Sequence, residues 1–389
     1  MYKIIHIHTD PKFIDETAVL ESSFIENEVI ILKGEGNYKG RYHETAIYLN
    51  PTWTNLNWLI TLCNKADMVV LYNLCLRKAY IANRLDAHIR IAWRFFGQEL
   101  YRYDIDEQYS DLSIDMLTLE RRSLSEKFKR LKKRLLESRA LRFLNKYRII
   151  YDNEFERAIS RIDCFLWHYR QEYDFFKKSW PDLPPFINLP TLNMPTMKTE
   201  SGNSSGYDKE KLIILGNSKN PINNHFDILD MLLPAKNFNS YVVNIPFSYG
   251  EETIYSMRLK EKVKNHKNII LSEIFLSLSD YELIFKKASA LVINTYRQKA
   301  LGNILLALKN DVKVYLNTRN ISLSILSSQD LRIYSVDQLY DDLENDNIRL
   351  SPEDVAHNAV IMRKLAQVNS IELFQQRIYD LLEKKGIKV

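Results

Sequence analysis

Short apolar runs separated by amphipathic stretches dominate the second half of the chain. The runs lie at Leu212–Leu215, 241–245, 269–271, 290–294 and 312–316, and helix-like segments begin near His225, Glu251, Asp280 and Gly302. Runs this short suit buried strands, because helices need ten or more residues. Strands that alternate with helices specify a parallel sheet with helices on both faces. The first half has the same texture, with strands expected at Tyr2–His8, 29–33, 67–72, 89–96 and 162–167 and helices at 55–66 and 172–178. Between the halves, residues 181–207 hold five prolines and an SGNSSG run, which marks an interdomain linker at 186–210. A chain of 389 residues exceeds the usual size of one hydrophobic core. The expected architecture is α/β, with one Rossmann-like domain over 1–185 and a second over 211–389 that ends in helices from Pro352 onward. Open parallel sheets bind ligands at the carboxyl ends of their strands.

Hydrophobic content of 46% and charged content of 26% belong to a globular protein. No window approaches the eighteen uninterrupted apolar residues of a membrane span, and MYKIIHIHTDPKF lacks the apolar core of a secretory signal. Cys63, Cys75 and Cys164 are widely spaced in apolar contexts, so they are expected to be reduced core residues of a cytoplasmic protein. The net charge of +5 conceals an asymmetry. Residues 121–148 hold twelve Lys/Arg against two Glu, so the remainder of the chain carries −5. One basic segment on a mildly acidic globule argues against nucleic acid as the partner.

Four turns that follow expected strands carry polar chemistry. In KLIILGNSKNPINNH, a strand breaks into Gly216, Asn217 and Ser218, and Asn223 and His225 precede an amphipathic helix. Unpaired N–H groups of a first helical turn favour an anion there, and Gly216 permits close backbone approach. The same residues also suit an ordinary N-capped turn. In the second turn, YRQKALGN, Arg297 offers a planar fork for a diphosphate or carboxylate, with Gln298 beside it. Gly302 and Asn303 then open the next helix. A third turn, WRFFGQELY, places Glu99 just beyond a strand end, as a general base or as a plain loop carboxylate. The fourth, PFSYG, offers Tyr249 for stacking on a nucleotide base.

Together ILGNSKNPINNH, RQKALGNILLAL with VYLN, WRFFGQELY and, more loosely, PFSYGEETIY resemble glycosyltransferase family 56. That family is typified by N-acetylfucosamine transfer from TDP to lipid II in enterobacterial common antigen synthesis. The resemblance implies a GT-B fold of two Rossmann-like domains facing a cleft. It further implies a nucleoside-diphosphate sugar as donor and no other cofactor. Gly216, Asn217, Ser218, Asn223, His225, Arg297, Gln298, Gly302 and Asn303 then look like donor-site residues. Glu99 stands where the family usually has Asp, and Ala300 replaces a glycine of an RQ-x-G-x-G pattern.

Two metal signals are weak beside this reading. Asp104 and Asp106 form a D-x-D, but a three-residue match arises easily by chance in an acidic loop, and His6 and His8 share one strand face as a pair that is more often structural. Metal-free departure of the diphosphate is expected. The basic segment places Leu124, Phe128, Leu131 and Leu135 on one helical stripe, with Lys129, Arg130, Lys132 and Lys133 on the remainder. Such a helix suits an anionic inner-membrane surface and hence a lipid-linked oligosaccharide acceptor. The alternatives are a nucleotide-sugar 2-epimerase of the same architecture, or a non-catalytic glycan- or lipid-binding scaffold.

Overall fold

The computed structural model describes residues 1–33, 38–101, 108–120, 146–190, 209–368 and 371–383. The chain divides into two units, one of Met1–Arg102, Lys133–Leu192 and Val368–Val389, the other of Tyr103–Lys132 and Asn193–Gln367. Each is built on one parallel sheet.

The first sheet contains β1 (Tyr2–His8), β2 (Ile25–Ile31), β3 (Ile47–Tyr48), β4 (Met68–Tyr72), β5 (Arg90–Arg94), β6 (Cys164–Trp167) and β7 (Phe186–Asn188). Their spatial order is β3-β2-β1-β4-β5-β6-β7, so the winding reverses between β1 and β4. Every residue of β4 is buried, as expected for a central strand covered on both faces. One face packs Ile4, Val70, Ala92 and Leu166 against Phe374, Ile378 and Leu382 of the helix Ile371–Glu383. On β5 and β6, Trp93 packs edge-on against Phe95 and Phe165, with ring centroids 5.7 and 5.0 Å away.

The second sheet contains β8 (Leu212–Leu215), β9 (Val242–Pro246), β10 (Ile269–Ser272), β11 (Ala290–Ile293), β12 (Lys313–Leu316) and β13 (Tyr334–Ser335). The order is β10-β9-β8-β11-β12-β13, so this sheet reverses between β8 and β11. One side is packed by Ile213, Val243, Ile245 and Tyr255, the other by Ile214, Leu291, Ile293 and Ile304.

Three edge strands, β3, β7 and β13, escape sequence reading because two or three residues show no periodicity. β7 falls inside the expected linker, where Phe186 pairs with Phe165. Two helices join units that chain order does not suggest. The helix Ile371–Glu383 follows the second domain in sequence but packs in the first unit, with Gln375 Nε2 donating to the Val19 carbonyl at 2.9 Å. Conversely, Ser110, just before the helix Asp111–Glu120, donates through Oγ to Asp227 Oδ2 of the second unit at 2.6 Å. An apolar stripe shows that a helix is covered, not by which sheet.

Lys129, Arg130, Lys132 and Lys133 lie outside the described residues, as do Asp104 and Asp106. Among the described residues no helix is long and apolar enough to cross a membrane.

Candidate functional site

The sheet of the second unit reverses direction between β8 and β11, and the two turns singled out in sequence follow those two strands. Gly216 ends β8 at φ +73, a conformation that costs an L-residue energy, while its N–H donates to the Val292 carbonyl of β11 at 2.8 Å. A Cβ built on Gly216 would stand 2.8 Å from His225 Nε2 and 3.3 Å from Asn223 Oδ1. The glycine is therefore required by both conformation and space.

Asn223 organises this turn from within. Its Nδ2 donates to the Ser218 carbonyl at 3.0 Å and to Ser218 Oγ at 3.1 Å, and its Oδ1 accepts the Asn217 N–H at 3.3 Å. His225 is fully buried, and the Tyr255 hydroxyl accepts its backbone N–H at 2.9 Å and lies 3.2 Å from Nδ1. Nε2 makes no hydrogen bond of good geometry. Burial, reinforced by the charge of Lys299, holds this imidazole down to about 3, with the Ser218 backbone pulling weakly the other way. His225 is therefore a neutral imidazole whose Nε2 faces Gly216 at the floor of the turn. The expectation of outward N–H groups needs revision here, because His225 N–H serves Tyr255 and Asn217 N–H serves Asn223.

The second turn is tied to the first by a pair of asparagines that no local pattern in the sequence marks. Asn224 Nδ2 donates to the Asn294 carbonyl at 3.0 Å, and Asn294 Nδ2 returns a bond to the Asn224 carbonyl at 3.2 Å. Asn224 sits at φ 47, which Asn tolerates better than most residues. Around Asn294, Asn317 Nδ2 donates to its Oδ1 at 2.7 Å and Asn320 Nδ2 donates to Thr295 Oγ1 at 3.0 Å. Thr295 in turn donates to the Arg297 carbonyl at 2.9 Å. Gln298 is buried in the same loop.

The helix Leu301–Lys309 starts without a side-chain cap, so its first turn presents uncapped N–H groups beside Arg297 and Lys299. An added Cβ at Gly302 meets nothing within 4 Å, so that flank is open. Asn303 is spent elsewhere, donating to Tyr281 OH at 2.9 Å. Ala300 occupies the left-handed region at φ 60, where glycine would sit without strain. Ala300→Gly is expected to raise stability by about 1 kcal/mol, the left-handed penalty less the entropy of glycine. A higher urea midpoint with unchanged slope would register it; an equal or lower midpoint would refute the strain.

The PFSYG turn follows β9, the other neighbour of β8. The Lys219 N–H donates to the Tyr249 carbonyl at 3.1 Å, which docks this turn on the first. Tyr249 is 61% exposed, so its ring is accessible for stacking.

In the first unit Glu99 is buried beyond the end of β5, not exposed in a loop. Its Oε1 accepts the Leu74 N–H at 3.1 Å and both Trp93 Nε1–H and the Phe96 N–H at 3.3 Å. Burial raises its carboxyl above the usual range despite these donors. The carboxylate clamps the turns after β4 and β5 together. Nearby, at the β1/β4 reversal, lies a residue with no sequence signal, the fully buried Lys78. Its Nζ donates to Asn73 Oδ1 at 2.9 Å, to Thr9 Oγ1 at 3.3 Å and to the Tyr72 carbonyl, and burial lowers it to about 8.

His6 and His8 are occupied structurally. His6 Nε2 bonds Asn27 Oδ1 at 2.8 Å, and His8 bonds Thr17 Oγ1 at 3.1 Å and stacks on Tyr72 with ring centroids 3.7 Å apart. Cys63 and Cys164 are buried and Cys75 half-buried, all as free thiols.

No family model and no curated protein sequence matches the chain. Solved structures do. Sucrose-phosphate synthase from Thermosynechococcus elongatus superposes with a TM-score of 0.63 at 10% identity, over 99% of both chains. WaaG, a glycosyltransferase involved in lipopolysaccharide biosynthesis, gives 0.58 at 13% identity, over 98% of this chain and all of that one. An alpha-glucosyltransferase in complex with UDP gives 0.55 at 11% identity, over 99% of this chain and all of that one. At such identities the likeness speaks for architecture, and it agrees with two parallel sheets of seven and six strands. The chain has the GT-B fold of the glycosyltransferases.

Proposed function

We propose that this protein transfers a sugar from a nucleoside-diphosphate donor to a polyprenyl-diphosphate-linked glycan in bacterial surface polysaccharide synthesis. One observation carries the reading. Two strand-to-helix turns at the β8/β11 reversal are locked together by the Asn224–Asn294 exchange, and they gather His225, Arg297, Lys299 and an uncapped helix N-terminus. Negative charge grows on the leaving diphosphate as the glycosidic bond breaks. A helix N-terminus and fixed cations stabilise that charge without a metal. Tyr249 supplies the stacking face for the base, and Glu99 is the candidate base for the acceptor hydroxyl. The family 56 resemblance supports TDP as the nucleotide and an acetamido-dideoxyhexose as the sugar. The basic segment at 121–148 supports work at the anionic inner face of the cell membrane.

Calorimetric titration with TDP and UDP tests the donor site. One nucleotide per chain is expected, and no binding of either would remove both the transferase and the epimerase readings. Incubation of the nucleotide sugar without acceptor should leave it unepimerised. Glu99→Gln keeps an acceptor oxygen for the Leu74, Trp93 and Phe96 donors while removing the charge. As a base variant it should lower transfer by roughly 100-fold or more with donor affinity unchanged. Full transfer would assign Glu99 to clamping the two turns alone.

A further inference from the structure

The helix Trp53–Cys63 of the first unit presents an unusual outer face. Its exposed residues are Trp53, Thr54, Asn57, Trp58 and Thr61, and none is charged. Solvent-facing helix surfaces normally carry charged residues. Here Trp53 is 62% and Trp58 48% exposed. Tyr80, on the neighbouring helix Leu76–Ala82, extends the surface, with its ring centroid 5.0 Å from that of Trp53. The Arg84 guanidinium covers the Tyr80 ring at 3.5 Å and also reaches Glu154 at 3.0 Å. Exposed Arg77 and Lys65 add positive charge around this surface, and neither helix contains an acidic residue.

We propose that this face seats on an anionic phospholipid bilayer at headgroup depth. Tryptophan and tyrosine favour the interface because an apolar ring carries one polar edge. Thr and Asn need no charge to be solvated among headgroups. Arg77 and Lys65 complement anionic lipids, whereas the Arg84 charge is met by Glu154. A glycan platform fits less well: sugar hydroxyls call for several polar side-chain partners, and the one exposed amide flanked by these rings, Asn57, is 3.3 Å from Tyr80 OH. The residues of this face are separate in sequence from the basic segment at 121–148. It rests on the proposed lipid-linked acceptor for its purpose, since such an acceptor must be met at a membrane.

Trp93 and Trp167 are buried and Trp180 is half-buried, so the part of the emission change that is lost in Trp53→Ser/Trp58→Ser reports on this face. The full chain is mixed with vesicles of phosphatidylglycerol and phosphatidylethanolamine, or of phosphatidylcholine alone. With the anionic vesicles, a blue-shifted emission, quenching by lipids brominated near the headgroup and loss of quenching by aqueous iodide are expected. Trp53→Ser/Trp58→Ser should lower vesicle partition at least tenfold while leaving TDP or UDP titration unchanged. Binding that leaves these tryptophans iodide-accessible would place the membrane contact elsewhere and overturn the proposal. So would absence of binding, or emission changes with soluble glycans but not with vesicles. Failure of nucleotide binding with the vesicle result intact would count against the transferase reading alone.

Discussion

Lowering the pH from 8 to 5.5 is expected to destabilise both units, removing roughly 2–3 kcal/mol from the first and about 1 kcal/mol from the second. The cause is a set of imidazoles buried without charge. In the first unit burial holds His6 at about 4 and His168 at about 3, and keeps His8 well below its usual value. In the second, His225 lies at about 3. His168 Nδ1–H donates to the Leu189 carbonyl at 2.9 Å, and its Nε2 accepts from Arg94 at 3.1 Å, so protonation would set one cation against another.

The sign follows from proton binding. Each folded-state value lies below the unfolded value of about 6.5, so the unfolded chain binds more protons as pH falls. The contribution is fully present above pH ~6.5 and is lost progressively toward the folded-state values. At pH 5.5 His6, His168 and His225 each account for about 1 kcal/mol, and His8 acts in the same direction, against a typical domain stability of about 5–15 kcal/mol. Glu99, raised by burial, acts in the opposite sense and offsets part of the loss in the first unit. Urea unfolding followed from pH 8 to 5.5 reads the effect, and the first unit should lose more stability than the second. A pH-independent midpoint would mean that these imidazoles are hydrated.

Gly216→Ala is expected to cost about 2–4 kcal/mol, combining a left-handed residue with overpacking. The new methyl would meet His225 Nε2 at 2.8 Å, with Asn223 Cγ and Oδ1 at 3.3 Å. Neither neighbour is a flexible chain end. Asn223 is held through Ser218 and Asn217, and His225 through Tyr255. The turn must therefore move, and nucleotide affinity should fall at least tenfold. Gly302→Ala is the matched control, because its flank is open. It should leave stability equal or higher by about 0.5–1 kcal/mol, since alanine suits a helix better. If it also weakens nucleotide binding, the open flank is where the ligand approaches. A neutral Gly216→Ala, by melting and by calorimetry, would defeat this account of the turn.

Legibility in the sequence followed the range of the interactions involved. The run LIIL ending at Gly216 declared a buried strand and a tight turn, because burial on both faces and positive φ leave local marks. Asn223 and His225 were identifiable beside it. Asn224 and Asn294 were not, although they bind the two turns together across 70 positions in the chain. The available hint was weak: asparagine is a common choice where the backbone turns left-handed. Glu99 reads as a loop carboxylate in isolation, and only the approach of Leu74 and Trp93 shows it to be an internal clamp.

Alternation of short apolar runs with helices was enough to specify two parallel sheets, because strand length and side-chain period are local properties. Membership was another matter. The helix Ile371–Glu383 carries its stripe wherever it docks, and its burial beside Ile4 and Val70 rests on contacts more than 300 positions away. The same holds for the neutral state of His225 and the depressed basicity of Lys78, which depend on what surrounds each group in three dimensions. Spacing along a chain records which face of an element is covered. Only the folded arrangement decides what covers it, and therefore which polar groups remain for chemistry.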